Sequence, residues 1–377
     1  MKKFACHLIC LLLPVFLLCQ STPKEWYEKG LKLKIEKKSS EALKAFQQAL
    51  KLKSDYPEAL YESGWCQNDL KDYVAALKSL RQVRPYWPSV PKVYFELGYA
   101  FEKIENFDSA KVNFNYCLQL KPDYALAHMR LGYIAFNKDE NQSALLHFQN
   151  YEKNSKIPIS DYQYWYRKGF TLNAERQYEQ AKTALNKSLE FKTDYLNTYL
   201  ELGFACTKLK QDDDAINWFK KGIEIDPKSH IPYNGIGEVY RDNKKDMAEA
   251  MNWYRKTLTI NVSERKANFG MGYCLNSGGK YSEAVPYLQK AIQFENTYAA
   301  AYVELGYSQY KLGSNNLALE NFKKAISLNP KNENARYYAT LVYISQGNKY
   351  MAQQMVNELK SLNSKQVTTL QEKINKM

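Results

Sequence analysis

The residues best suited to catalysis or metal binding are few in this chain and badly spaced. Its 377 residues include four histidines, His7, His128, His147 and His230, and seven cysteines. His128 and His147 sit in neighbouring helical stretches, with no acidic or cysteine companion at metal-ligand spacing. No CxxC, HExxH, GxSxG, GxxxxGK or GxGxxG occurs. Cys66, Cys117, Cys206 and Cys274 are scattered singly and read as small buried apolar residues. The chain is therefore expected to have no catalytic residues, no metal and no cofactor, and not to be an enzyme. The chemistry that does recur is aromatic, carried by 31 tyrosines, 16 phenylalanines and 6 tryptophans. Trp65, Tyr99, Tyr133, Phe170, Phe204, Tyr273 and Tyr307 each follow a glycine, and Tyr61, Phe95 and Tyr166 stand four residues ahead of members of that row. Rings at this spacing share one helix face. They supply apolar contact area, with a polar tip where the ring is tyrosine. Two readings stay open for each ring: a binding surface, or burial between neighbouring helices.

The elements that place these rings are written in two ladders. Gly30, Gly64, Gly98, Gly132, Gly169, Gly203, Gly237, Gly272 and Gly306 recur at steps of 34, 34, 34, 37, 34, 34, 35 and 34 residues. Ala42, Ala76, Ala110, Ala144, Ala181, Ala215, Ala250, Ala284, Ala318 and Ala352 run in phase, and Thr340 takes the glycine place of a tenth unit. Four residues after each alanine comes a large apolar side chain, such as Phe46, Leu80, Phe114 or Tyr254. Four before many glycines comes an aromatic, such as Trp26, Tyr94 or Tyr199. Each unit thus reads as two helices whose small residues let the axes approach closely. A mid-helix glycine costs about 1 kcal/mol against alanine, so its recurrence predicts a site where a side chain would clash. A fixed period of this length means stacked supersecondary units, not one compact domain.

The pattern resembles the tetratricopeptide repeat family. Tyr94, Leu97-Gly98, Phe101, Ala110, Phe114 and Pro122 follow that family's motif, as do Tyr302, Leu305-Gly306, Ala318, Phe322, Ala325 and Pro330. The resemblance implies an all-α fold, a right-handed superhelical solenoid of about ten helix-turn-helix repeats over residues 23–363. It also implies a concave groove holding a partner, faced by the residue after each glycine and by the residue three before it. On that basis the groove residues are Trp65, Tyr99, Tyr133, Phe170, Phe204, Tyr273, Tyr307, Tyr61, Phe95 and Tyr166. In repeat seven Asn234, Glu238 and Arg241 interrupt the aromatic row. Some relatives clamp a C-terminal carboxylate with asparagine and basic residues. Lys92, Arg130 and Arg167 stand near groove positions here, but aromatics replace the asparagine, so that mode is not expected.

Other segments set the organisation. Residues 1–20 carry Lys2-Lys3 and then a largely apolar run, which reads as a signal peptide or a lipoprotein leader with Cys19 as its lipidation site. The protein is then exported, periplasmic or lipid-anchored at the cell envelope, of the bacterial type. The net charge of +13 is spread as lysines mixed with glutamates. That is a solvated helical surface, and nucleic acid is not an expected partner. The longer step predicts a break at residues 154–161. One extra residue predicts a basic loop tip at Asn243-Lys244-Lys245, with the first helices themselves unbroken. Val367, Leu370 and Ile374 predict a capping helix over residues 364–377. The expected function is a non-catalytic scaffold that binds a protein or peptide and organises an envelope complex. The alternative is a glycan- or peptidoglycan-binding protein using the same rings.

Overall fold

The computed structural model describes residues 22–377, and every regular element among them is helical. The expected leader and Cys19 lie outside the described residues. The chain forms two compact units, one ending at Ile159 and one running from Ser160 to Met377. The first holds four helix pairs: α1 (Pro23–Ile35) with α2 (Ser39–Leu52), α3 (Pro57–Asp69) with α4 (Tyr73–Val83), α5 (Pro91–Lys103) with α6 (Phe107–Leu120), and α7 (Ala125–Asn137) with α8 (Asn141–Asn154). The second holds six: α9 (Tyr162–Ala174) with α10 (Tyr178–Phe191), α11 (Leu196–Lys208) with α12 (Asp212–Ile225), α13 (Ile231–Glu238) with α14 (Met247–Ile260), α15 (Arg265–Ser277) with α16 (Tyr281–Phe294), α17 (Ala299–Lys311) with α18 (Asn315–Leu328), and α19 (Glu333–Ser345) with α20 (Lys349–Ser361). A last helix, α21 (Val367–Asn375), covers the end of the stack with Leu370 and Ile374 fully buried. The fold is an all-α array of ten helix pairs with a terminal helix.

The glycine ladder has a steric cause. A Cβ on Gly98 would stand 2.7 Å from the Phe114 ring, and one on Gly203 2.6 Å from the Phe219 ring. Real Cβ contacts essentially never come under 3.0 Å. The glycine of the first helix and the large residue of the second are therefore a matched pair in each repeat. In the tenth repeat Thr340 replaces glycine, and the large residue shrinks to Val356 at the same register. Both are buried.

The turn within each pair is equally regular. One residue per repeat takes a left-handed conformation, Lys37, Lys71, Glu105, Asp139, Arg176 and Lys210 among them, and glycine holds the place only at Gly279, Gly313 and Gly347. The next N–H reaches back five residues to a helix carbonyl, as from Lys280 to Leu275 at 2.9 Å, which closes the first helix. Residues 155–161 form the longer connection between α8 and α9, where Asp161 accepts the Gln163 N–H at 2.8 Å and so caps α9.

Repeat seven corrects one expectation. The extra residue does not lengthen a loop tip at Asn243-Lys245. It widens the end of the first helix into a π-helical turn, Val239–Lys244, so that first helix is not regular to its end. The Asp246 N–H then reaches back six residues to Tyr240 at 2.9 Å. Contacts with repeat six hold this segment in place: the Asn243 amide donates to the Thr207 carbonyl at 3.1 Å and to Asp212 at 2.6 Å, and Lys244 pairs with Asp213 at 2.8 Å. The left-handed turn stays at Lys245, and the surplus residue is absorbed on its N-terminal side.

Candidate binding groove

Between successive repeats each first helix packs mainly on the second helix before it, as α3 on α2 and α17 on α16, and first helices also touch one another: α3 on α5 in the first unit, and α9, α11, α13, α15, α17 and α19 in turn in the second. In the second unit the first helices therefore form a continuous row, and the rings expected to line a groove lie on first helices. The ring after the glycine is half-buried at Trp65, Tyr99, Phe170, Tyr273 and Tyr307, exposed at Phe204, and buried at Tyr133. The row four residues earlier is more deeply placed. Tyr61 and Phe95 are buried and Tyr166 half-buried. These earlier rings pack on a ring that precedes the next first helix: Phe95 on Tyr124 with centroids 5.2 Å apart, Tyr166 on Tyr195 at 5.1 Å, and Phe269 on Tyr298 at 5.0 Å. Tyr61 packs on Trp87 at 5.8 Å. This row joins repeat to repeat, and burial pushes the Tyr61 and Tyr166 phenols well above the usual tyrosine range. Apart from Tyr133, the aromatic row after the glycine is the more exposed of the two.

Behind that row lies a feature the sequence reading missed. Asn68 donates to both the carbonyl and the carboxylate of Glu96, at 3.1 and 2.8 Å. Asn173 does the same to Glu201 at 3.0 and 2.8 Å, and Asn276 to Glu304 at 3.0 and 2.9 Å. Each asparagine stands four residues after a repeat glycine, and each glutamate two before the next one. The pairs recur 28 residues apart. That spacing is visible in the sequence and was the available signal. Burial raises all three carboxyls, to about 7 for Glu96, while the asparagine bond pulls the other way. An ionised carboxylate here is costly unless it meets a donor or a cation.

In the second unit the Asn173–Glu201 corner opens into an 850 Å³ cavity on the first helices of repeats five to eight. Phe170, Leu200, Phe204 and Ile231 form its apolar wall, Glu201, Asn234 and Glu238 its acidic and amide side, and Arg176, Lys208 and Lys266 its basic rim. Gly235 stands at its floor over the Phe219 ring, which would lie 2.7 Å from a Cβ. The amide oxygens of Asn173 and Asn234 are buried with no hydrogen-bond donor in the structure. The matching corner in the first unit, Asn68 with Glu96, Tyr99 and Arg130, leaves only 230 Å³.

Comparison with known proteins places this architecture. Tetratricopeptide repeat models match residues 37–91, 91–124, 162–195, 196–229, 266–298 and 299–332, more than half of the chain. The chain belongs to the tetratricopeptide repeat family. It is 27% identical over 182 residues to a TPR repeat-containing protein of Methanocaldococcus jannaschii, covering 46% of this chain and 31% of that one. It is 27% identical over 135 residues to the mitochondrial import receptor subunit TOM70 of Rattus norvegicus, covering 35% and 21%. The chain spans less than a third of the length of these relatives. Its backbone is similar to the crystal structure of the APC/C hetero-tetramer Cut9–Hcn1, with a TM-score of 0.52 at 12% identity over 94% of this chain and 90% of that one.

The TPR register explains the histidines and cysteines. His128 holds the place of Tyr94, Tyr199 and Asn268, each of which donates to the carbonyl six residues before it, at 2.7, 2.6 and 3.0 Å. His128 Nε2 lies 3.0 Å from the Pro122 carbonyl, which only accepts, so that nitrogen carries the hydrogen. Its Nδ1 then accepts from His147 Nδ1 at 3.1 Å. Burial, with His128 and then Lys111 nearby, pushes His147 down to about 4, which favours its neutral form. The four repeat cysteines are free and buried, and burial pushes the Cys66 and Cys117 thiols up to about 12. Among the described residues no three potential ligands gather into a metal site. Repeats four, seven and ten lie outside the matched ranges, and the first two of these carry Arg130 and Gly235.

Proposed function

We propose that this TPR protein is a scaffold without catalysis of its own, which holds an extended protein or peptide segment along the inner row of its second unit and organises a complex at the cell envelope. The observation that carries the reading is the 850 Å³ cavity on successive first helices, with an exposed ring, Phe204, beside buried polar groups that have no partner in the chain. Apolar wall and unspent acceptors together suit a segment that offers both a hydrophobic side chain and N–H donors. The TOM70 relative is itself a subunit of a larger receptor. The envelope location rests on the leader sequence of residues 1–20. The glycan reading needs open ring faces along the row, and Tyr99 and Tyr307 are set edge-to-face with Tyr73 and Tyr281, at 75° and 85°. The peptide reading is therefore preferred.

The test is capture from native envelope extract by the chain without its leader, against a Phe204→Glu variant and against insoluble cell-wall material. The reading expects a defined protein retained by the native chain and lost from the variant. Retention on cell wall with no protein captured would transfer the case to the glycan reading.

A further inference from the structure

The three Asn–Glu corners are alike in hydrogen bonding and differ in what neutralises them. At Glu96 the chain supplies Lys34 and, more weakly, Arg130, whose guanidinium lies 4.8 Å from the Tyr99 ring; both lower the carboxyl's proton affinity through space. At Glu304 it supplies Arg241, which lies 5.6 and 5.8 Å from the Phe269 and Tyr273 rings and acts on Glu304 in the same sense. At Glu201 the opposing influences are burial and the Asn173 bond alone. The position that holds Arg130 one repeat after Glu96 holds Gly235 one repeat after Glu201. A side chain is missing where the Glu96 corner has a guanidinium over an aromatic ring; the same position one repeat after Glu304 holds Tyr338, and Arg241 belongs to repeat seven.

We infer that the cavity of the second unit is completed by an arginine side chain from the bound segment, its guanidinium lying over Phe204 toward Glu201 and the Asn173 amide oxygen. The chemistry fits on three counts. Phe204 is 40% exposed and carries Lys208 Nζ 5.2 Å from its ring centroid, so the ring is one on which a cation sits and a guanidinium can take that ammonium's place. Asn173 and Asn234 are 4% and 7% exposed, with amide oxygens that need donors, and guanidinium has only donors, in a planar fork. The corner at Glu304 is sealed in a different way at its amide, since Asn276 accepts the Ser308 hydroxyl at 2.6 Å. Repeat six has Ala205 and repeat three Ala100 at the register of Ser308, and the amide oxygens of both Asn173 and Asn68 are left without a donor. The basic rim of Arg176, Lys208 and Lys266 selects the flanks of the segment, so the arginine stands between acidic residues.

This inference rests on the groove reading, and the experiment separates the two. Fluorescein-labelled hexapeptides with one central arginine between acidic and leucine residues are titrated into the chain without its leader, beside versions with citrulline or norleucine in place of arginine. The expected result is binding of the arginine peptide at least tenfold tighter than that of citrulline, which keeps the shape and loses the charge. Glu201→Gln should remove that preference with its thermal midpoint maintained. Equal binding of the three peptides, or a preference that survives Glu201→Gln, overturns the arginine assignment. If the norleucine peptide binds as tightly as the arginine peptide and Phe204→Glu abolishes that binding, the groove reading stands while this one falls. No binding by any peptide overturns the arginine assignment and, together with failed capture from extract, the groove reading as well.

Discussion

The Asn68–Glu96 corner of the first unit and the Asn173–Glu201 corner of the second are built from the same residues at the same register, and they end in different states. In the first, Arg130 fills the space, stacks on Tyr99 and pairs with Glu102 at 3.4 Å. In the second, Gly235 leaves a cavity nearly four times larger. A repeat fold can convert a packed, self-neutralised corner into an open one by changing one side chain, because each first helix repeats the same register against its neighbour. The same logic fixes stability costs, since a buried carboxylate left alone is expensive whichever unit holds it.

The largest expected effect is removal of the internal guanidinium. Arg130→Ala should lower the stability of the first unit by about 2–4 kcal/mol, because it strands the half-buried pair with Glu102 and the carboxyl of Glu96. Denaturant unfolding followed by a probe in that unit checks this, and an unchanged midpoint would break the comparison. Next comes Glu96 itself. Its carboxyl is raised from 4.5 to about 7, so between these values the folded chain keeps a proton that the unfolded chain has released. That contribution to stability is present in full below about 4.5 and lost as pH rises through 7. Glu96→Gln should therefore stabilise the first unit by about 1–3 kcal/mol at pH 8 and change little at pH 4; a gain confined to low pH would contradict it. Ser308→Ala should cost the second unit about 1–2 kcal/mol by leaving the Asn276 oxygen without a donor, read as a lower melting midpoint. The smallest effect is the reverse change. Ala205→Ser should donate to Asn173 as Ser308 does to Asn276, adding about 1 kcal/mol and weakening any ligand that uses that oxygen.

The periodic skeleton was legible because it is steric and local. Gly98 with Phe114, and Thr340 with Val356, are matched in the sequence as they are in space. The rings were legible as a stripe, but their division was not. Tyr61 and Phe95 differ from Tyr99 only by register, and which row touches the next repeat depends on the angle between helices. The Asn–Glu corners join positions 28 residues apart, a separation with no helical meaning until first helices stack. The π-helical turn was hidden because one surplus residue can enter a loop or a helix end. Asn243 decided it through bonds to Thr207 and Asp212, which no local pattern announces.

The central claim is that the inner row of the second unit is where a partner sits. Its most direct test is a photo-crosslinking amino acid placed at Phe204 in the native cell, compared with the same probe at Val112, exposed on the second helix of repeat three. The account predicts one discrete crosslinked protein from position 204 and none from position 112. The same products from both positions, or products from 112 alone, would contradict it.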